Sequence, residues 1–500
     1  MKNYSDFMDE ISQSDVYEGL LGYGLFSSKL PPVLSSEEFY NYCIFQTPKF
    51  KDEPRPHIFY ESIRNTNVPR QLGIPNPMAY QLLCKCISDN WGNLQSYFKQ
   101  KTKGQRYNVS HIHLRKMVGT RSLFKMNYES WKTDGTPEPD LLIGSRFVVH
   151  ADISTCFPSI YTHSIPWALV GKSTAKQQRN KNLWFNQIDH LTQNCKFGET
   201  HGLLIGPHAS NLIGEIILTS IDCELTKKWN YIRHIDDYTC FVESYEKAQL
   251  FLTELSSALR QYDLTLNHKK TQISALPLAM TEQWKRQIGN PNSFLKNGIM
   301  DYLGARSYLD SIIEIMQKNN ENSAILNYAI KALPVEKMSY NAIDYCVKTV
   351  FHLCLMYPYL SQIMDESVFS RFNVSNDQIK DLAERLYKQE LSNKNYDGVC
   401  YSLFYALKYG FIVDSLNVND VVDSDSCIFR LLAYLYFKKH GLSAEETKLL
   451  NLAQTLKVDE TDFNQNWLFE YEVLSQTDLP DEWKDLKANN VTFLKQEFQI

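Results

Sequence analysis

The chain has 500 residues and a mass of 58.2 kDa, long enough for two or three domains, each with its own core. Its 43% hydrophobic and 22% charged residues are those of an ordinary soluble globular protein, and no apolar run approaches the roughly 20 residues that span a bilayer. The net charge of -5 does not by itself suggest nucleic acid; the distribution does, with 33 basic against 28 acidic residues over 1–300 and 19 against 29 over 301–500.

The opening MKNYSDFMDE lacks a basic stretch followed by an apolar core, so no secretory signal is read and a cytoplasmic protein is expected. Residues 1–60 read as an N-terminal extension of short helical stretches, with GLLGYGLF and the Pro31-Pro32 pair as punctuation. From 61 to 290 strand-like and helical segments alternate, the pattern of an α+β domain. Residues 51–150 hold 15 basic against 8 acidic residues, with aromatics interleaved in QSYFKQKTKGQRYNV and LRKMVGTRSLFKMNYESWK. Such a stripe is either a solvated basic face or the electrostatic footprint of a phosphate backbone. The eleven cysteines are scattered, which points to free buried thiols rather than disulfides or structural zinc.

Two acidic sites carry the chemistry. In SRFVVHADISTCFPSIY (145–161) a strand-like run from Phe147 to Ile153 has Asp152 near its end, where an acid can also serve as a helix N-cap. In YIRHIDDYTCFV (231–242) Asp236 and Asp237 lie between two strand-forming arms, a common turn sequence. Like charges at a strand end repel unless a cation sits between them. Taken together the sites predict three carboxylates converging from adjacent strands, a set of hard oxygen ligands suited to two Mg²⁺ ions bridging a triphosphate. Beyond about 290 the pattern turns helical, in SYNAIDYCVKTVFHLCLMYPYL (339–360), YDGVCYSLFYALKYGF (396–411) and SCIFRLLAYLYFKKHGL (426–442). Degenerate helical pairs of the HEAT sort are the expectation for 291–500.

An acid in a strand followed five residues later by an aromatic, with a hydrophobic-Asp-Asp hairpin downstream, resembles the palm of reverse transcriptases. Three further segments stand in the order that family has them: RQLGIPNPMAYQLL (70–83), GLLIGPHASN (202–211) and LNHKKTQ (266–272). The resemblance implies right-hand polymerase fingers and palm in 61–290, followed by an all-α, helical-repeat-like domain in place of a thumb. It assigns Asp152, Asp236 and Asp237 to catalysis and, with Ile153, to the metals. It gives Arg70 the grip on the triphosphate and Phe157 the exclusion of a 2′-hydroxyl. Gly206 and Ile153 join the substrate set, and Lys269 or Lys270 assists the pyrophosphate or the palm. STCFPSIYTHSIPWALVGK and the helical C-terminal third look most like the prokaryotic defence-associated reverse transcriptases of the abortive-infection type. That family implies phage defence, dNTP substrates, a DNA product, protein priming without a conventional template, a noncoding RNA or template RNA in some members, and homo-oligomers. His234 and Ile235 before the Asp pair, and Ile205 before Gly206, depart from the common pattern, and the last puts ordinary templated copying in doubt. The alternatives are a non-catalytic RNA-binding scaffold with a retained palm and a templated retroelement enzyme.

Overall fold

A computed structural model describes residues 2–111, 114–116, 121–123, 135–279, 283–288 and 290–499. The stretches 117–120 and 124–134 of the basic stripe therefore lie outside the described residues. Of its described cations, several are engaged within the chain: Lys99 with Asp9, Lys116 with Asp15, and Arg121 with Glu18.

At the centre is a four-stranded antiparallel sheet in the order β4-β5-β3-β6, built from β3 (Phe147–Asp152), β4 (Tyr231–His234), β5 (Asp237–Val242) and β6 (Gln272–Ala275). β5 and β6 cover the two edges of β3, and both its faces are packed, by the helix Tyr245–Arg260 on one and by Leu141 and Leu142 on the other, with its Val-Val pair divided between them. Val148 packs with Ile232 and Phe241 on one face, while Val149 and Ala151 join the main core on the other. Helices His208–Leu225 and Tyr245–Arg260 lie along the sheet, the second capped by Ser244, whose hydroxyl accepts from the Lys247 amide.

A separate hairpin, β1 (Ile58–Ile63) and β2 (Pro69–Ile74), runs into the helix Pro77–Asp89. Asn76 stops the strand and starts the helix, its side chain accepting from the Met78 amide, with Pro77 in the first helical position. Residues 2–46 form short helices, including Tyr4–Asp9 and Glu37–Gln46, laid over this helix and its successor Trp91–Lys101. Tyr80 donates to the Gly24 carbonyl and Trp91 to that of Ile11.

From Tyr302 onward the described chain is helical, and the three apolar segments read from the sequence form Tyr340–Met356, Tyr396–Tyr409 and Cys427–Lys439. The class is thus α+β with a large helical C-terminal region. That region is not separate from the rest. Tyr60 and the Ile63 amide both donate to the buried carboxylate of Asp397, and Asn76 donates to Asn464. Arg55 pairs with Glu482, and the tail returns to the start of the chain, where Leu34 and Leu494 form an antiparallel bridge and Phe39 meets Phe493. One apolar core runs from Tyr4 to Phe498. All eleven cysteines are free thiols, ten of them buried, and no helix among the described residues is long and apolar enough to cross a membrane.

Candidate active site

The strand register brings the three aspartates together. Asp152 closes β3 directly opposite Asp237, the first residue of β5, and His234 pairs with Asp237 across a two-residue turn made of Ile235 and Asp236. Ile235 sits at φ 55°, a left-handed conformation that β-branched residues rarely adopt. Two main-chain bonds tie the neighbouring segments to β3: the Ile153 amide donates to the Asp236 carbonyl at 3.1 Å, and the Asn267 amide donates to that of Asp152 at 2.7 Å.

Gathering the acids raises the proton affinity of Asp236 and Asp237. Burial, then the charge of Asp152, pushes the Asp236 carboxyl up from its ordinary value, against the pull of Lys270 and Arg70. Asp237 is exposed as a residue, yet its carboxyl faces the crowded strand end. Loss of solvent there, followed by the charges of Asp236 and Asp152, pushes it up to about 6. Lys270 answers part of this charge, its ammonium donating to Asp152 Oδ2 at 2.8 Å. No group of three or more His, Cys, Asp or Glu among the described residues forms a ready metal cage. The donor chemistry nonetheless fits a hard divalent cation, because three carboxylates meet at one sheet end with a single paired ammonium between them.

The remaining candidates divide. Arg70 stands on β2 opposite Ser62, exposed, with Arg64 and then Asp236 the charges it feels most. Gly206, at φ 127°, lies against Ser27 and the Gly73 carbonyl, and the Gly73 amide donates to Ile205, so the glycine-rich loop is pinned to the strand that carries Arg70. Phe157 is half-buried, its ring seated on Gly214, where an added Cβ would lie 3.4 Å from the ring edge. The Ile153 side chain is buried in the core, so only its main chain can serve the cleft. Of the two lysines left open by the sequence, Lys270 reaches the carboxylates. Lys269 is exposed, one position off, its amide spent on the Asn267 side chain in the tight turn that aims Lys270.

Sequence reasoning treated Arg233 as one strand residue among others, and the structure places it at the base of the site. It is fully buried, as are Glu215 and Asp222, with which it forms ion pairs. Its Nε and Nη2 donate to Asp222, Nη1 and Nη2 to Glu215, and Nη1 also to the Ile235 carbonyl at 2.9 Å. Tyr4 and Thr219 donate to Glu215 and Tyr231 to Asp222, completing the network. The legible signal was two acids seven residues apart in an apolar helix, hence on one face, which need a buried cation.

A family model described as Reverse transcriptase (RNA-dependent DNA polymerase) matches residues 94–306. The span holds Asp152, Phe157, Gly206, Asp236, Asp237, Lys269 and Lys270, and it begins after Arg70. A solved structure of apo telomerase from Candida Tropicalis matches at 11% identity and a TM-score of 0.34, covering 72% of this chain and 71% of that one. No curated protein matches the sequence.

Proposed function

With residues 94–306 a reverse-transcriptase domain, the chain is an RNA-directed DNA polymerase-like nucleotidyltransferase, and from that premise we propose that it extends DNA from dNTPs at the end of the β3–β5 sheet. The observation that carries this reading is the register that sets Asp152 opposite Asp237 and beside Asp236. Asp152, Asp236 and Asp237 are the residues that would hold two Mg²⁺ ions, with the Ile153 main chain beside them. Bound there, the ions would neutralise the triphosphate and stabilise the entering and leaving oxygens of the transfer.

The chain's own residues supply the rest. Arg70, on a strand pinned to the glycine-rich loop, is placed to bind the triphosphate, a task suited to a guanidinium fork. Phe157, braced by Gly214, presents a flat wall on which a 2′-hydroxyl would have no partner. Lys270 holds Asp152 in place and keeps an ammonium near the phosphates. Gly206 keeps a side chain out of the loop between substrate and β2.

The finer reading rests on the resemblance in STCFPSIYTHSIPWALVGK and the helical third: a polymerase of antiphage defence, active in the cytoplasm as a homo-oligomer, primed on a protein hydroxyl and working without a conventional template. Purified protein given each single dNTP, with and without template RNA, tests it. Template-independent product that protease treatment releases supports this reading; product made only on a template supports a retroelement-like enzyme. Absence of incorporation under every condition leaves the non-catalytic RNA-binding scaffold.

A further inference from the structure

We propose that Arg233 is a positioning residue for the polymerase, holding Asp236 in place by restraining the peptide between Ile235 and Asp236. The inference rests on the two-metal reading above for its consequence, but its geometry stands apart from that reading.

Arg233 spends all five of its N–H donors, and four of them go to the two acids. An ion triad alone would be complete at that point. The fifth bond, from Nη1 to the Ile235 carbonyl, is the one that leaves the triad and enters the turn. It lands on the one residue of the hairpin with a left-handed backbone, where a β-branched side chain makes the conformation costly. The Asp236 unit is therefore gripped on both sides, by Arg233 at the preceding carbonyl and by the Ile153 amide at its own. The main chain of Arg233 is itself fixed, its amide donating to Val109 and its carbonyl accepting from His111. A guanidinium anchored at so many points is a rigid post, and the strained peptide leans on it.

A stability role alone does not explain this arrangement. Buried ion triads can be replaced by apolar or neutral groups with little loss of stability. What such a replacement would remove here is the hold on a peptide whose own preference is to flip, and with it the aim of one metal-binding carboxylate. Outer-shell partners of metal ligands act in this way, by fixing orientation rather than by touching the ion.

The test uses the full-length chain with the network neutralised as a unit, Arg233→Met with Glu215→Gln and Asp222→Asn, so that no buried charge is left unpaired. Three quantities are compared with the parent: Mn²⁺ binding followed by its electron paramagnetic resonance signal, hydrogen exchange of the 231–242 segment, and kcat and KM for dNTP. Metal affinity should fall by about tenfold or more, exchange in the turn should quicken, and kcat should fall while KM stays close to the parent value. Adding Ile235→Gly, which removes the steric cost of the left-handed turn, should restore metal affinity and kcat. Parent-like metal binding and exchange in the neutralised chain would overturn the proposal, as would failure of Ile235→Gly to restore either metal affinity or kcat. Should the triple variant not fold, Arg233→Lys takes its place. It keeps a cation between the acids but cannot span both and the carbonyl, and the same losses and the same rescue are required of it. If the parent takes up no Mn²⁺, or loses none on Asp236→Ala, the two-metal reading falls instead, and the exchange measurement alone judges Arg233.

Discussion

Asp236 and Asp237 are held where their charges repel each other and that of Asp152, an arrangement that costs stability until a cation arrives. Asp236→Ala or Asp237→Ala should therefore abolish nucleotide incorporation while the melting temperature stays level or rises. Wild-type incorporation in both variants would remove the assignment. Phe157 separates two explanations of one aromatic. If its ring screens the sugar, Phe157→Ala raises ribonucleotide incorporation relative to deoxyribonucleotide with modest loss of stability; if it is core, stability falls by about 3 to 5 kcal/mol and both incorporations fall together. Its half-buried seat on Gly214 favours the first result. At this scale the sequence was informative about the acids because a carboxylate at a strand exit and an adjacent pair in a hairpin are local patterns. It could not separate Lys269 from Lys270, since the choice turns on how the chain folds back after Asn267. Nor could it single out Arg233, whose partners lie on a helix 11 and 18 residues away.

Among the elements, the β1–β2 hairpin is informative because its support comes from far along the chain. Asp397 accepts from the Tyr60 hydroxyl at 2.5 Å and from the Ile63 amide at 2.9 Å, so a helical-region carboxylate fixes the strand pair that carries Arg70. Asp397→Ala leaves both donors without their partner, at a cost of about 1 to 3 kcal/mol. The expected kinetic signature is a raised KM for dNTP with a smaller change in kcat, measured by steady-state incorporation. A second buried acid tests the helical region alone. Glu470, in the helix Trp467–Val473, is fully buried with neither carboxylate oxygen hydrogen-bonded among the described residues, and burial pushes its carboxyl up to about 8. A carboxyl whose folded value lies above the unfolded value, about 4.3, penalises folding increasingly as pH climbs between the two. The penalty grows by at most about 1.4 kcal/mol per pH unit and levels off above 8. Melting curves of Glu470→Gln and parent should diverge in the variant's favour from pH 5 to pH 8; parallel curves would show that Glu470 is ionised at little cost. Helix positions were readable from apolar spacing, but the buried acids were not, because a lone Asp or Glu in a helix reads as a solvated residue until its neighbours are known.

For the whole molecule, the sequence suggested three consecutive regions, and the physical reason it could say no more is that contacts between distant segments leave no local periodicity. Asp397 beneath Tyr60, Glu482 on Arg55 and Phe493 against Phe39 join the regions through one core. A chain ended at residue 290 should accordingly be insoluble or lack a cooperative melting transition, rather than behave as a smaller polymerase. Homo-oligomerisation is tested on the intact protein: sedimentation at micromolar concentration should give a species of two or more subunits, and a strictly monomeric active enzyme would contradict it without touching the proposed role of the three aspartates.

The tail that closes against the beginning also sets a clock. Leu494 pairs with Leu34 and Phe493 covers Phe39, so the first layer of the molecule cannot finish its core until the segment 491–498 has left the ribosome. At about 5–20 residues per second that wait is on the order of a minute. The packing around Leu34 and Phe39 is thus expected to appear late and all at once, as one of the last steps in the folding of each newly made copy.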